Sequence, residues 1–339
     1  MNKNEETIEI HQSINDELYN AWDELYKLGA SYNLSPFWCK TWLNHFGNPD
    51  NVKIITIWEH QELKLLAPFY VRRNKLTIIG TKPDLYDEFN VFYREKKYLE
   101  KLFHYIIQNN FQLNFRHLDA ETDFSKELIK YISGKAINQQ SHVDETKLFI
   151  MKDKFDPPGY FRRDIERCKR NLQKNTENEY VFEFRTQKTD ELINEFIKFH
   201  TQRWSGGMLK DNSAIISFLR ENLKNNESII LSRLYLSQSG ETVGLGIGYL
   251  DSNNKYTYSM TAYNNAYSKY SPGKVFLYDL VNAVFDDGVN CFDMGRGSES
   301  YKSWITDQQS ILFTIKTHIN PKYYKVQRFV NKVLDLVFY

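Results

Sequence analysis

The sequence predicts two domains of mixed α/β class, and three observations lead to that fold class. The chain has 339 residues, which is more than a single hydrophobic core usually organises. Hydrophobic residues make up 41% and charged residues 26%, as in ordinary globular proteins. In both halves of the chain, short strand-like stretches alternate with helical ones, which favours mixed sheets flanked by helices.

Two helices open the first half. We predict the first at residues 15–29. The second begins in the stretch SPFWCKTWLNHFG, where Ser35 is a suitable N-cap, Pro36 takes the first helical position and Gly47 stops the helix. The remaining elements of this half are predicted, in chain order, as the strands VKIITIW, LKLLAPFYV and KLTIIG, a helix near residues 96–109, the strand FQLNFRHL, a helix near residues 123–133 and the strand TKLFIM.

The stretch KDKFDPPGY interrupts this pattern with two prolines and a glycine, and it predicts a domain boundary near residue 157. We therefore assign residues 1–155 to an N-terminal domain and residues 156–320 to a C-terminal domain. An amphipathic helix is predicted for residues 321–339, where packing on its own domain is favoured over contact with a membrane surface. The second half continues with helices at 160–176, 189–204 and 212–224, the strands YVFEFRT, SIILSRLYLSQ, ETVGLGIGYLD and KYTYSMTAY, a helix from Pro272, and the strands NCFDM and ILFTIKTHI.

Charge and cysteine content argue against several classes of function. Lys and Arg number 44 against 43 Asp and Glu, so no strong net field draws the protein onto nucleic acid or anionic lipid, and no nucleic acid partner is expected. Three widely spaced cysteines, Cys39, Cys168 and Cys291, predict neither a metal site nor a disulfide framework. The N-terminus is polar and no run of about 18 apolar residues occurs, so we expect a cytoplasmic protein.

Two glycine-rich stretches look like nucleotide loops but have the wrong spacing. A phosphate-binding P-loop needs a glycine directly before its lysine and another six residues before it. In FDMGRGSESYKSW, Gly295 and Gly297 lie seven and five residues before Lys302, which excludes a P-loop. The stretch GLGIG, residues 244–248, lies within a strand and does not lead into a helix, which excludes a dinucleotide fingerprint. Its glycines favour the close approach of another backbone or of a ligand.

The start of the helix at Pro272 is a candidate anion site. Its amides at residues 273–275 are expected to be unpaired and to carry partial positive charge, which Lys274 reinforces, and a pyrophosphate suits such a position. From local features alone, an ordinary Ser-Pro helix start is the commoner interpretation.

The stretch YFRRDIERCKRNLQKN predicts a helix with one apolar and one basic face. The basic face suits phosphates or a nucleic acid backbone, although a solvated face is commoner. The apolar positions at helical spacing are Phe161, Ile165, Cys168 and Leu172.

The stretch FHTQRW ends the helix at residues 189–204 and carries three candidate ligand-binding side chains. His200 is a candidate general base, although a lone histidine at a helix end is more often structural. Arg203 and Trp204 add a guanidinium and an indole at the same helix end.

Five segments, in this order, resemble the CelD-type acetyltransferases of the GNAT superfamily, which were first associated with cellulose-biosynthesis clusters. They are SPFWCKTWLNHF, YFRRDIERCKRNLQK, FIKFHTQRW, SPGKVFLYDLV and FDMGRGSESYKSW. The FemABX peptidoglycan aminoacyltransferases are more distant relatives with tandem domains, and the aromatic–lysine pair of their second domain falls on Tyr301–Lys302. The resemblance implies tandem GNAT-like domains, each with a mixed, mainly antiparallel sheet flanked by helices.

The resemblance also implies acyl transfer from acetyl-CoA or another acyl-CoA to an amine or hydroxyl of a small acceptor. Family context places that acceptor among amino sugars, sugar nucleotides and precursors of the cell envelope or of exopolysaccharides. An aminoacyl-tRNA donor, as in FemABX enzymes, stays open, as does a non-catalytic GNAT-like binding protein. The usual phosphate loop, Arg/Gln-x-x-Gly-x-Gly/Ala, is represented here by one glycine. The CoA pyrophosphate is implied to bind at Ser271, Pro272, Gly273 and Lys274.

A catalytic hypothesis follows for the second domain. Asp293, at a strand end, is expected to take the proton of the acceptor or to orient it, and Lys302 to stabilise the oxyanion of the tetrahedral intermediate. Tyr301 and Tyr263 are expected to position the acceptor or to protonate the leaving thiolate. Arg203 and Trp204 are expected to line the acceptor site, by pairing or stacking with a sugar nucleotide or a carboxylate. The residues expected to bind substrate are His200, Arg203, Trp204, Tyr263, Gly295 and Gly297.

Overall fold

A computed structural model of the protein describes residues 6–72, 75–135, 139–204, 206–297 and 299–317. By their internal contacts, these residues divide into two compact units. The first unit comprises Asn33–Thr146 with residues 6–28 and 310–317, and the second comprises Lys147–Gln309 with Gly29–Tyr32. The chain thus passes from one unit to the other at residue 147, and the sequence-based boundary at residue 155 stays a prediction.

The described ranges contain α-helices and β-strands, and several antiparallel strands follow one another directly in the chain. The α-helices are α1 (Asp16–Tyr26), α2 (Pro36–Phe46), α3 (Lys96–Gln108), α4 (Asp123–Gly134), α5 (Gly159–Thr176), α6 (Asp190–Arg203), α7 (Ser213–Asn225) and α8 (Pro272–Asp286). The strands are β1 (Thr7–His11), β2 (Val52–Glu59), β3 (Glu62–Arg72), β4 (Lys75–Ile78), β5 (Phe92–Tyr93), β6 (Gln112–Asp119), β7 (Gln139–Met151), β8 (Tyr180–Glu183), β9 (Ile229–Leu236), β10 (Thr242–Leu250), β11 (Lys255–Tyr263), β12 (Cys291–Arg296) and β13 (Gln309–Thr317).

The sheet of the first unit runs in the order β1-β2-β3-β4-β6-β13, with β5 beside β3. Its neighbours are antiparallel except for β4 and β6, which are parallel and pair at Lys75–Gln112 and Leu76–Leu113. Farther along β6, Leu118 forms a bridge to Phe89 instead, and the amide of Phe89 donates to the carbonyl of His117 at 2.9 Å. The loop before β5 therefore takes the place beside β6 that β4 leaves.

The sheet of the second unit runs in the order β7-β12-β11-β10-β9-β8. Its neighbours are antiparallel except for β11 and β12, which are joined through α8 and are parallel. Helices α5 and α8 pack together, and Lys169 of α5 binds Asp279 of α8 at 2.8 Å. The predicted apolar face of α5 is confirmed, because its four members are buried in the core of this unit: Phe161, Ile165, Cys168 and Leu172.

The glycines of β10 make room for aromatic side chains. A Cβ atom at Gly246 would lie 2.5 Å from the Phe276 ring, and one at Gly248 would lie 2.2 Å from the Tyr256 ring. The expectation that these glycines admit another backbone or a ligand is therefore wrong at both positions. Phe276 belongs to α8, so the missing side chain at Gly246 lets this helix approach the sheet closely.

Most predicted elements appear within a few residues of their expected bounds. The start of α2 is confirmed in detail, since the Ser35 hydroxyl accepts the Trp38 amide at 3.1 Å and Gly47 is the C-cap. The sequence analysis missed β1, β5 and the first part of β7. The helix predicted at residues 321–339 lies outside the described residues.

The described residues include neither a membrane-spanning helix nor a metal-binding cluster. None of the described helices is long and apolar enough to cross a membrane. The same part of the chain holds no group of three or more His, Cys, Asp and Glu side chains arranged to bind a metal ion.

Candidate functional site

The parallel strands β11 and β12 separate soon after they begin. Among the described residues they pair at three positions, Lys255–Cys291, Tyr256–Phe292 and Thr257–Asp293. Strand β11 then continues to Tyr263 beside β10, and β12 continues to Arg296 beside β7. The facing edges of the two strands therefore part at their carboxyl ends, where an open α/β sheet commonly binds its ligand. Helix α8 starts at this end, after the 3₁₀ helix Asn265–Tyr270.

Arg203 connects the end of α6 with the end of β11. Its guanidinium carbon lies 4.3 Å from the centre of the Tyr263 ring and 5.0 Å from that of the Trp204 ring. Tyr263 also lies beside the start of α8, since a Cβ atom at Gly273 would be 3.6 Å from its ring. Trp204 is 49% exposed, so its indole is available to a ligand. The structure thus brings Arg203, Trp204, Tyr263 and Gly273 together, and a cation between two rings suits an anionic or aromatic ligand group.

His200 lies one turn before Trp204 and is 8% exposed. Its Nδ1 atom is buried and has no hydrogen-bond partner in the described part of the chain. Burial lowers the pKa of the imidazole, and the Arg203 charge lowers it further. Both effects favour the neutral form, in which a ring nitrogen is able to accept a proton.

Tyr301 and Trp304 lie in the segment between β12 and β13. Their rings meet edge to face with centres 6.5 Å apart. Burial raises the pKa of the Tyr301 hydroxyl; nearby Tyr258 and Glu299 raise it as well, while the Arg203 charge acts in the opposite direction. This hydroxyl is therefore protonated at neutral pH, but it is also a weaker acid than an ordinary phenol, and its action as a proton donor stays a prediction.

Lys302 holds the chain that follows β12. Its ammonium group donates to the carbonyls of Gly295 at 3.3 Å, Arg296 at 2.5 Å and Gly297 at 3.3 Å, and pairs with Glu299 at 2.9 Å. The carbonyls converge because Gly295 and Gly297 adopt φ values of 69° and 99°, which favour glycine. The glycines thus shape a cradle for the lysine. The oxyanion role of Lys302 stays a prediction, because its three N–H donors meet four protein acceptors here.

Asp293 is 2% exposed and lies at the last paired position of β11 and β12. Its carboxylate is 3.6 Å from the Lys147 ammonium and 3.4 Å from the Lys255 ammonium, and it accepts the Gly295 amide at 2.9 Å. These contacts make Asp293 the counter-ion of two lysines at the point where the strands part. Its role as proton acceptor stays a prediction.

The start of α8 differs in part from the expected anion site. Ser271 adopts a left-handed conformation (φ 55°) and Pro272 takes the first turn. The amide of Lys274 donates to the Ser271 carbonyl at 3.0 Å, so the expectation that this amide is unpaired is wrong. The Lys274 ammonium binds Asp164 of α5 at 2.7 Å and lies 4.5 Å from the centre of the Trp304 ring. An anion here would therefore compete with Asp164 for Lys274.

Sequence reasoning missed several polar residues of this site, namely Lys147, Lys255, Asp164, Tyr258 and Trp304. Lys147 and Lys255 come near Asp293 through the strand order β7-β12-β11, which no local pattern reveals. Asp164 was available as an acid within a basic helix, a charge pattern that favours a partner on a neighbouring helix.

Comparison with known families gives a match that covers most of the second unit. Residues 159–303 match the family described as "Acetyltransferase (GNAT) domain". Most of the second unit thus resembles a GNAT acetyltransferase domain. The match includes α6, α8 and the segment through Lys302. A comparison with curated proteins finds no match.

Solved structures of similar fold cover most of the chain. FemX is 11% identical, with a TM-score of 0.60 over 91% of this chain and 98% of FemX. L-PGS from Bacillus licheniformis is 13% identical, with a TM-score of 0.58 over 92% of this chain and 95% of that protein. A tandem GNAT protein from the clavulanic acid biosynthesis pathway is 9% identical, with a TM-score of 0.50 over 92% and 98% of the two chains. At these identities the likeness concerns the fold, and it confirms the predicted tandem GNAT-like fold class.

Proposed function

We propose that the second unit is an acyltransferase that moves an acetyl or other acyl group from acyl-CoA to an amine or hydroxyl of a small acceptor. The acceptor class we propose is an amino sugar, a sugar nucleotide or another precursor of the cell envelope or of exopolysaccharides. The observation that carries the proposal is the parting of β11 and β12 beside the start of α8, within the region that matches the acetyltransferase domain.

The parted strands offer a place for an extended thioester. Beyond Thr257 and Asp293, the facing edges of the two strands no longer pair with each other. Their backbone N–H and C=O groups therefore require other hydrogen-bond partners. The amides of a pantetheine arm are suitable partners. We place the pyrophosphate of the donor near residues 271–274, where the helix dipole favours an anion and Lys274 exchanges Asp164 for a phosphate.

The acceptor is proposed to lie against Arg203, Trp204 and Tyr263. The half-exposed indole and the neighbouring phenol provide flat apolar faces that suit a sugar ring, and the guanidinium suits a phosphate or a carboxylate. Tyr301 is proposed to protonate the leaving thiolate. Lys302 supports this geometry by fixing the loop between β12 and Tyr301.

A thioester assay tests the proposal. Purified protein is incubated with acetyl-CoA and, one at a time, with amino sugars and sugar nucleotides, while thiol release and the mass of the acceptor are recorded. We expect acceptor-dependent thiol release and a gain of one acetyl group on the acceptor. Lys302→Ala should lower kcat at least about 10-fold, with exposed Lys198→Ala of α6 as the matched control. Undiminished turnover by folded Lys302→Ala would remove Lys302 from the mechanism.

An aminoacyltransferase that uses aminoacyl-tRNA is the second candidate. The fold shared with FemX and L-PGS favours it, and so does an exposed basic stripe on α5 formed by Arg163, Arg167, Arg170 and Lys174. Of these, Arg167 is paired with Asp164. This candidate predicts tRNA binding that weakens steeply with salt, whereas the acyl-CoA enzyme should bind tRNA weakly. Filter binding at two salt concentrations, together with the thioester assay, separates the two.

A further inference from the structure

We propose that His200 is the base that takes the proton from the acceptor group during acyl transfer, a role that rests on the function proposed above. The inference starts from position. His200 and Arg203 are spaced i, i+3 on α6, so these two side chains share one helix face, and Trp204 follows directly as the C-cap residue. Arg203 stacks on Tyr263 at the end of β11, and a Cβ atom at Gly273 of α8 would lie 3.6 Å from the Tyr263 ring, so this face borders the place where the two strands part.

The second observation is the unpaired ring nitrogen of His200. Buried polar atoms are nearly always hydrogen-bonded, and an unpaired one costs about 1–3 kcal/mol. The Nδ1 atom of His200 is such an atom, in a side chain that is more than nine-tenths buried. An N–H or O–H group of an acceptor would satisfy the lone pair of Nδ1 in the tautomer that carries its proton on Nε2.

The segment after α6 holds the imidazole in place. The amide of Trp204 donates to the carbonyl of His200 at 2.9 Å, and the amide of Gly207 donates to the carbonyl of Trp204 at 2.8 Å. This turn brings Gly207 over the ring, because a Cβ atom there would lie 3.3 Å from Cε1 of His200 and 2.9 Å from Cβ of Trp204. Trp204 is half exposed, and we expect an acceptor to approach His200 from the side of this indole.

The alternative base, Asp293, is already engaged. Two ammonium groups and one amide surround its carboxylate. His200 has the opposite surroundings, since Arg203 is the charged group that acts on it, and both burial and that charge favour the neutral, proton-accepting form. Between residues 147 and 309 the sequence contains no other histidine.

The proposed step balances as follows. The acceptor nitrogen or oxygen forms a bond to the acyl carbon, and its proton passes to Nδ1 of His200. The carbon–sulfur bond then breaks, and the electron pair leaves with the thiolate. The Tyr301 hydroxyl protonates the thiolate, and water returns the His200 proton to Tyr301, so the enzyme is unchanged after one turnover.

Kinetics of His200→Gln test the proposal, with acetyl-CoA as donor and glucosamine as acceptor. For the wild type, kcat/KM should rise with pH as His200 loses its proton, with a midpoint below the ordinary value of 6.5. In His200→Gln, kcat should fall at least about 100-fold and this acid limb should vanish, while the KM for acetyl-CoA stays within about twofold. His104→Gln, at an exposed position of α3, is the matched control and should keep the wild-type profile.

The outcomes separate the base role from the function itself. An active wild type together with an unchanged acid limb in His200→Gln overturns the base role and leaves the acyltransferase standing. A wild type that releases no thiol overturns both. Imidazole added to His200→Ala should restore part of the rate if His200 transfers a proton, whereas no rescue in the folded variant counts against the proposal.

A titration by nuclear magnetic resonance gives a readout that needs no turnover. In the ¹⁵N-histidine-labelled wild type, the His200 ring should be neutral at pH 7.5, with Nδ1 unprotonated. A proton on Nδ1 at that pH, or a ring that is still charged at that pH, overturns the proposal even if the His200 variants fail to fold.

Discussion

The two units differ in what lies beside a pair of parallel strands that separate along their length. Each contains a parallel strand pair that begins together and then parts, β4 with β6 in the first unit and β11 with β12 in the second. In the first unit the place beside β6 is taken by the chain itself, through the bridge between Phe89 and Leu118. In the second unit the described residues show no such bridge, and the gap is bordered by Arg203 and Tyr301.

The side chains around the two gaps differ accordingly. Phe89 is fully buried, and its ring centre lies 4.3 Å from that of Phe115 and 5.5 Å from that of Phe124. Arg203, Tyr263 and Tyr301 in the second unit are all partly exposed and carry polar ends. The comparison teaches that the same fold serves as a packed core in one unit and as a candidate binding cleft in the other, and that the filling residues decide which.

The largest expected loss in the free energy of unfolding comes from truncating Phe89, the side chain that fills the gap of the first unit. Phe89→Ala removes a buried ring from an aromatic cluster, and a large-to-small change of this kind costs about 3–5 kcal/mol. We expect that loss in the free energy of unfolding, measured by urea denaturation. Thioester turnover per folded molecule should not change, since the ring belongs to the first unit.

A loss below about 1 kcal/mol at Phe89 would contradict the comparison, because it would mean that the first gap is not a packed core. A change in donor KM without a change in stability would point to a binding site in the first unit. Ile129→Ala, at an exposed position of α4, serves as the control for a change outside the cluster.

The second prediction concerns Lys302, which holds the chain that follows β12 in the second unit. Lys302→Met leaves the carbonyls of Gly295, Arg296 and Gly297 without their shared donor, and we expect a loss of about 2–4 kcal/mol. Thermal unfolding, with exposed Ser303→Ala as the control, measures it. Retained stability would mean that the loop keeps its form without the lysine, and the cradle described above would then be wrong.

Local chemistry in the sequence was enough to predict most of the fold and part of the site. The periodicity of β2, β3 and β11 and the Ser-Pro-Phe start of α2 gave those elements directly, because each pattern lies within one element. Strand β1 was missed because its five residues, TIEIH, are mostly exposed and alternate only briefly. Strand β5 has two residues, which is too short for any period.

The contacts of the site depend on pairings that lie far apart in sequence. Asp293 was recognised as a buried acid at a strand end, but its counter-ions come from β7 and β11, and their positions follow from sheet order. Lys302 was placed near the chemistry because the Tyr301–Lys302 pair resembles the aromatic–lysine pair of FemABX enzymes. Its hydrogen bonds to three carbonyls depend on two glycines with positive φ. Burial and strand order thus decide what a charged residue faces, and the sequence does not state either.

The third prediction compares how each unit accommodates an aromatic ring. In the first unit Phe89 fills a gap, whereas in the second Phe276 packs against Gly246 of β10. Gly246→Ala places a methyl group 2.5 Å from that ring and should destabilise the protein by about 1–3 kcal/mol. Gly244→Ala, whose methyl group would lie 3.5 Å from the same ring, is the matched control and should stay within about 1 kcal/mol of the wild type. Equal effects at the two glycines would show that close packing at Gly246 is not what the glycine provides.

The smallest effect on the free energy of unfolding is expected from the ion pair near the start of the helix that follows each gap. Both helices begin near a lysine bound to an aspartate of another helix, Lys96 to Asp123 at 3.0 Å in the first unit and Lys274 to Asp164 at 2.7 Å in the second. Hydrogen bonds from Lys274, and then from Arg167, lower the pKa of Asp164 below its ordinary value of 3.8. A carboxyl whose pKa is lowered on folding adds stability above that ordinary value, and the contribution is lost as the pH falls through the folded pKa.

Asp164→Asn should therefore lower the free energy of unfolding at pH 7 by less than about 1 kcal/mol, since the pair is partly exposed, and the difference from the wild type should vanish at low pH. The same change frees Lys274 at the start of α8, so the Kd for acetyl-CoA, measured by calorimetry, should fall a few-fold. Asp123→Asn makes the equivalent change beside the filled gap and should leave that Kd unaltered. If the two variants bind acetyl-CoA alike, the start of α8 has no special part in holding the donor, and the contrast between the two gaps would rest on the acceptor side alone.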